Sequence, residues 1–167
     1  TKEENMGFDL MSTGNHKTKK GEYYRNNVWG WRPLAQYIIE HTNCVSEKDA
    51  ERWAYNDGHE VTEQEAKAIA KQLKHLIKKG HTQKHYEEYE KERKKAETYN
   101  EKVQKQLKAF EERVGKDKAP NDYSKEDKKK WDSIWEKRLW SANYPFSVEN
   151  VKEFAEFCED SGGFTIN

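Results

Sequence analysis

Residues 62–80, TEQEAKAIAKQLKHLIKKG, decide the fold class, because they have the pattern of a complete amphipathic helix. Thr62 followed by Glu65 forms a capping box, an arrangement that begins many helices. Gly80 ends the pattern in the way that glycines commonly end helices. Between them, apolar residues recur at helical spacing on one side, at Ala66, Ile69, Ala70, Leu73, Leu76 and Ile77. The segment therefore predicts a helix that packs through one face.

The following segment predicts a longer helix, over residues 83–114. Its inward positions alternate by three and four residues for about four heptads. Polar residues at Arg93 and Asn100 interrupt this stripe, so the first half is either weakly packed or reserved for a partner. An asparagine at an inward heptad position can fix the register of a helix pair. The stripe of the preceding helix can cover only part of the length, so the pattern favours a homodimer formed through this helix. The same polar positions beside exposed Tyr86 and Tyr89 also suit a protein partner.

Four further helical segments and two short strands complete the predicted fold. One helix is expected from Pro33 to about residue 43, because proline suits the first turn of a helix. Ser46, Ser124 and Ser147 each stand where they can cap a shorter helix, the second of which extends to Leu139. Residues 7–11 and 164–166 can pair as strands. We expect a mainly α protein, α+β at most: one domain over residues 1–167 with a helical hairpin, one long helix, a charged helical insertion over 83–140 and a minor two-stranded sheet of the termini.

Composition limits the classes of partner. The 167 residues include 31 basic and 31 acidic ones, so no overall charge favours nucleic acid or an anionic membrane. Cys44 and Cys158 are predicted to be free thiols on apolar helical faces in a reducing compartment. The sequence has neither a signal peptide nor a run of about eighteen apolar residues. We therefore expect a cytoplasmic, soluble protein.

The segment most suited to binding is residues 21–32, GEYYRNNVWGWR. Tyrosine, tryptophan and arginine dominate binding hot spots, because they stack and form planar hydrogen bonds. If the segment precedes a helix, the N–H groups of that helix favour an anion, and the aromatic faces offer platforms for a nucleobase. The alternative is that the large rings are core residues beside the next helix. The candidate ligand-binding residues here are Tyr24, Arg25, Asn26, Asn27, Trp29, Trp31 and Arg32.

The sequence also bears on metal binding and catalysis. His81 and His85 are four residues apart, a spacing used by metal ligands on helices, but the sequence marks no further ligand. We therefore interpret them as surface histidines and predict no metal and no cofactor. No phosphate-binding glycine loop, nucleophile elbow or paired cysteine motif is present in the sequence. The protein is accordingly expected not to be an enzyme.

The ends of the chain carry a resemblance. The segments MGFDL, GEYYRNNVWGWRPL, NDGHEVTEQEAKAIAKQL and NYPFSVENVKEFAEFCEDSGGFTI resemble an uncharacterised family of small phage- and prophage-encoded proteins. They cover roughly half of the chain, with the same order and spacing of motifs. Relatives place two CxxC pairs before the YPF segment, whereas this chain has charged helices there, so the resemblance implies no metal site.

The resemblance implies a phage accessory protein, acting in the host cytoplasm, that counters host defence. Because it retains both ends of the chain together, Tyr144, Phe146 and Glu149 are expected to complete the ligand site. The leading hypothesis is non-enzymatic binding of a nucleotide-like small molecule. One alternative is a protein-binding inhibitor of a host defence complex, such as a CRISPR-type nuclease, that uses the long helix. A nucleotide-processing enzyme is the other alternative.

Overall fold

The computed structural model describes residues 6–167, and the chain falls into two compact units. The first comprises the chain up to Glu90 together with Tyr144–Asn167, and the second is Lys91–Asn143. The single domain with an insertion at 83–140 stays a prediction. In chain order the elements are β1 (Gly7–Ser12), β2 (Tyr23–Asn27), α1 (Val28–His41), α2 (Glu47–Arg52), β3 (His59–Val61), α3 (Glu63–Lys78), α4 (His81–Val114), α5 (Lys125–Trp135), α6 (Val148–Asp160) and β4 (Phe164–Ile166).

The described residues are mainly helical with a small antiparallel sheet, as the sequence predicts at the level of fold class. The predicted two-stranded sheet of the termini is wrong in extent, since the sheet has four strands in the order β2-β1-β4-β3. Leu10 of β1 pairs with Ile166 of β4, as expected for the termini. The additional strands β2 and β3 extend the sheet at its two edges, where they satisfy backbone groups of β1 and β4.

Helix α1 begins at Val28, five residues before the predicted start at Pro33. Asn27 explains the earlier start, because its side-chain oxygen accepts a hydrogen bond from the backbone N–H of Gly30 at 2.9 Å. Residues 21–32 therefore contain strand β2, which runs directly into the start of α1. Their side chains accordingly lie partly on the sheet and partly on α1.

The core of the first unit is aromatic. Trp31 is 0% exposed and its ring stacks on Phe8 at 5.3 Å and on Trp53 at 5.7 Å between centroids. The Trp31 indole N–H donates to the Trp53 carbonyl at 2.8 Å, so its one polar group is satisfied. The apolar stripe of α3 packs along α6.

In the second unit, α4 contributes a buried stripe of Val103, Leu107 and Phe110. The Phe110 ring meets the Tyr123 ring at 5.9 Å, and Ser124 caps α5 through the N–H of Asp127. Helix α5 ends at Trp135 instead of reaching Leu139. The backbone of Leu139 is held by the Asn100 side chain, which takes the place of a helical bond.

Among the helices described within residues 6–167, none combines the length and apolar character needed to cross a membrane.

Candidate functional site

Strand β2, the first half of residues 21–32, is hydrogen-bonded to α6. The Asn26 and Asn150 amides exchange two hydrogen bonds, at 3.1 and 2.9 Å, and the Tyr24 hydroxyl donates to the Asn150 side-chain oxygen. Burial raises the pKa of Tyr24, so its hydroxyl stays a donor. Asn150 is not among the site residues predicted from the sequence. Its role depends on a partner more than a hundred residues away along the chain.

Arg25 is engaged in an ion pair on the exposed face of the sheet. Its guanidinium contacts both carboxylate oxygens of Asp9, at 2.7 and 2.8 Å. A hydrogen bond from Tyr23, followed by the one from Arg25, lowers the pKa of Asp9, so the carboxylate remains ionised. Asn27 is the N-cap of α1, and its side-chain oxygen already accepts a hydrogen bond from the Gly30 N–H of that helix. The helix that was expected to follow residues 21–32 starts within them, at Val28, while the anion site itself stays a prediction.

Two of the predicted ligand residues lie in the core. Trp31 is enclosed by Phe8 and Trp53, which is the core alternative that the sequence left open. Phe146 is also buried, against Tyr37 at 5.1 Å and His85 at 4.7 Å between ring centroids. Glu149 lies exposed in the first turn of α6.

Three of the predicted residues meet at the surface of the first unit, and we call Trp29, Arg32 and Tyr144 the aromatic surface. The Trp29 and Tyr144 rings approach to 4.7 Å between centroids, and the Arg32 guanidinium lies over the Tyr144 ring at 5.8 Å. The Tyr144 carbonyl accepts a hydrogen bond from the Tyr89 hydroxyl at 2.5 Å, which fixes this segment. Tyr89 is half-buried, which corrects the expectation that it is exposed, and so is Tyr86.

Arg32 also lines a groove between α1 and α2, with a volume of about 200 Å³. Small apolar side chains form much of this groove, and the core rings Trp31 and Trp53 lie beneath them. Glu40 and Gln36 supply polar groups, and the Gln36 amide donates to Glu40 at 2.9 Å. The remaining lining residues are Ala35, Ile39, Ala50 and Ala54. An apolar slot with a few convergent polar groups is the usual character of a small-molecule site.

A histidine cluster lies between α1 and the start of α4. The His41 ring lies 4.8 Å from that of His81 and 5.3 Å from that of His85, measured between centroids. Tyr37 contacts all three rings, and its hydroxyl is 2.8 Å from His81 Nδ1 and 2.8 Å from Thr82 Oγ1. His81 and His85 are therefore half-buried and packed against other rings, instead of fully solvated at the surface. No local pattern predicts the place of His41 in this cluster, because the other two histidines belong to a different helix.

Burial followed by the proximity of His41 lowers the pKa of both His81 and His85. Neutral imidazoles can bind metals, but spacing alone does not make a site. Within residues 6–167, no group of three or more His, Cys, Asp or Glu side chains is arranged to hold a metal ion. The lowered pKa of His81 and His85 favours their neutral imidazole forms within the packed cluster.

The two thiols are free, as predicted. Cys158 is fully buried on α6 and Cys44 is half-buried after α1. Burial raises the pKa of both, which leaves little thiolate at neutral pH. Neither cysteine has the environment of a catalytic nucleophile.

Comparisons with models of protein families, with curated proteins and with solved structures find no match to this chain.

Proposed function

We propose that the protein binds a small ligand that combines a planar ring with a phosphate or similar anionic group, and that it releases this ligand unchanged. The observation that carries the proposal is the position of Arg32. Its exposed guanidinium takes part in both the aromatic surface and the α1–α2 groove. Among the described residues, no carboxylate lies within ion-pair distance of Arg32, in contrast to Arg25 and Arg52. Its charge is therefore available to a ligand.

The groove and the aromatic surface suit the two parts of such a ligand. A volume of about 200 Å³ is below that of a typical drug site and suits one ring system. Glu40 can accept a hydrogen bond from an amino group on the ring, while Arg32 holds the anionic group. A charged hydrogen bond to Arg32 contributes about 1.5–3 kcal/mol, and burial of the ring in the groove adds about 25 cal/mol for each Å² of apolar surface covered. These contributions are enough for a weak to moderate complex.

Binding without catalysis is favoured by the side chains near the groove. Its lining offers Glu40 as the one carboxylate and no cysteine, serine or histidine. A nucleophile with an adjacent base is the usual minimum for covalent catalysis. A nucleotide-processing enzyme is therefore the weaker alternative.

The biological setting rests on the resemblance of the chain ends to phage and prophage proteins. A phage protein that binds a nucleotide-like molecule without transforming it can sequester a signal on which host defence depends. This role places it in the host cytoplasm. It requires an affinity and a protein concentration sufficient to deplete that signal.

The rival function is inhibition of a host defence protein complex through α4. The original reason, an unpartnered polar stripe at Arg93 and Asn100, no longer supports it, since both side chains bond to the backbone of residues 139–142. The feature in its favour is the exposed side of α4, on which Tyr99 is 41% exposed. Purification from host lysate separates the two functions: a stoichiometric protein supports the rival, and a co-purifying small molecule supports ligand binding.

Titration calorimetry with mono-, di- and cyclic nucleotides tests the proposal. We expect Arg32→Ala to weaken binding about tenfold or more, through loss of the charged contact. Ala54→Phe, which fills the groove from an exposed position, is expected to block it. Arg52→Ala is the matched control, because Arg52 is exposed and already paired with Asp57 at 3.0 Å. Absence of heat with every nucleotide, or equal affinity in Arg32→Ala, contradicts the proposal.

A further inference from the structure

The second unit carries a net positive charge, although the chain as a whole is neutral. Lys91–Asn143 contains sixteen lysines and arginines against eleven aspartates and glutamates. Since the whole chain balances at 31 of each, the first unit carries the opposite excess. A locally basic unit attracts anionic partners even when the protein as a whole is neutral. The expectation from total charge that nucleic acid is disfavoured therefore does not apply to this unit.

Aromatic rings are arranged in series on the same unit, and we call Trp131, Trp135 and Trp140 the tryptophan ladder. Trp131 and Trp135 stack nearly parallel, with centroids 5.4 Å apart and 9° between their planes. Trp140 follows edge-on at 6.5 Å from Trp135 and is 51% exposed. The adjoining Leu139 is 44% exposed. The ladder therefore ends in a large ring with surface available for another planar group.

Cations lie on the faces of the ladder. The Arg138 guanidinium is 4.6 Å from the Trp135 centroid and 5.9 Å from that of Trp140, and Lys128 lies 5.3 Å from Trp131. A guanidinium held over an aromatic ring can still donate hydrogen bonds from its outer N–H groups to phosphate oxygens.

The backbone beneath the ladder is fixed in place by α4. The Asn100 amide donates to the Leu139 carbonyl at 2.9 Å and accepts from the Leu139 N–H at 2.8 Å. Arg93 donates to the carbonyl of Ala142 at 3.1 Å. Trp140 is thus presented between two anchored backbone positions, which reduces the conformational entropy that binding would otherwise cost.

We infer that the tryptophan ladder of the second unit is a binding surface for single-stranded nucleic acid. A base stacks on the exposed ring of Trp140, and Arg138 meets the phosphates together with the exposed lysines of α5, which are Lys125, Lys129 and Lys130. Single strands are required because the base faces of a duplex are already stacked on one another. An acidic peptide satisfies the charge but has few planar groups for the ring. This site lies in a different unit from Arg32 and takes a different class of ligand from the proposed function.

Fluorescence anisotropy with labelled twelve-residue oligo(dT) and oligo(U), beside a duplex of equal length, tests the inference on the full chain. We expect binding that weakens strongly as salt rises from about 50 to 200 mM. Trp140→Ala should weaken it about tenfold, as expected for loss of one stacked base. Arg138→Gln should also weaken binding and reduce its dependence on salt.

Tyr99→Ala is the matched control, because it removes an exposed aromatic ring of the same unit outside the ladder. Arg32→Ala should leave oligonucleotide binding unchanged, so this test and that of the proposed function can fail separately. The inference is overturned by no binding at low salt, by equal affinity in Trp140→Ala, by preference for the duplex, or by an equally tight complex with polyglutamate. Circular dichroism of each variant confirms that loss of binding does not reflect unfolding.

Discussion

The Asn100 side chain forms two hydrogen bonds with the backbone of Leu139, at 2.9 and 2.8 Å. A side chain of α4 thus takes the place of a backbone partner for the residue that follows α5. From the sequence alone, Asn100 is equally consistent with a buried register position in a dimer. Its amide has its partners within the chain. The reason for predicting a homodimer is therefore weakened, and the homodimer stays a prediction.

Replacing this amide should destabilise the second unit. Asn100→Ala removes both bonds to Leu139, and we expect the free energy of unfolding to fall by about 1–2 kcal/mol, since a net hydrogen bond contributes about 1 kcal/mol. Urea denaturation followed by tryptophan fluorescence measures the change. Gln104→Ala, at an exposed position of the same helix, should change stability little. Equal midpoints for the two variants would contradict the structural role of Asn100, whereas a change from dimer to monomer in Asn100→Ala would restore the dimer interpretation.

The two tryptophans of the binding segment should respond very differently to truncation. Trp31 is enclosed by Phe8 and Trp53, so Trp31→Ala should lower the free energy of unfolding by about 3–5 kcal/mol. Trp29 is half-buried beside Tyr144, so Trp29→Ala should have a smaller effect on stability. Thermal unfolding of both variants provides the comparison. A larger loss for Trp29→Ala would show that the assignment of core and surface in this segment is reversed.

The sequence predicts those elements whose signal is local. The capping box at Thr62 and the stripe that follows it predict α3, and Ser124 marks the start of α5, because capping and amphipathic spacing are properties of a few neighbouring residues. Strand β3 has only three residues, too few to show alternation, and it exists because β4 offers a free edge. The start of α1 is obscured by Pro33, which suits a first turn better than the sixth position it occupies.

The candidate site was predictable in part for the same reason. Residue type marks Arg32, Trp29 and Tyr144 as candidate binding residues, but it does not show which rings of residues 21–32 the core uses. Trp31 differs from Trp29 in burial because of the face of α1 on which each falls. The proximity of His41 to His81 depends on the packing of two helices, so no spacing along the chain could predict it.

The thiols provide a test of burial in the first unit. With Ellman's reagent at neutral pH, Cys158 should react only after unfolding, since it is fully buried and its pKa is raised by that burial. Cys44 should react slowly in the native protein, because it is half-buried and its pKa is also raised. Cys44→Ser should remove the native-state reaction. Rapid reaction of two thiols without denaturant would contradict the packing of α6.

The histidine cluster should make stability depend on pH. Burial and the proximity of His41 lower the pKa of His81 and His85 below the ordinary value for histidine. Lys79 and Lys84 reinforce the shift of His81, while Glu88 opposes both shifts and Glu40 opposes that of His85. Because the unfolded chain then binds protons more readily than the native one, the free energy of unfolding should be highest above about pH 6.5 and fall as the pH decreases below it.

Urea denaturation at intervals between about pH 7.5 and 5 measures this dependence, at pH values above the range in which carboxylates titrate. His85→Gln removes one of the two shifted groups and should reduce the slope, whereas His16→Gln, at an exposed position in the loop after β1, should leave it unchanged. Asp9, whose pKa is lowered by Tyr23 and Arg25, should contribute a separate loss of stability only near and below pH 4. A free energy of unfolding that rises as the pH falls toward 5 would show that the cluster stabilises charged rather than neutral imidazoles.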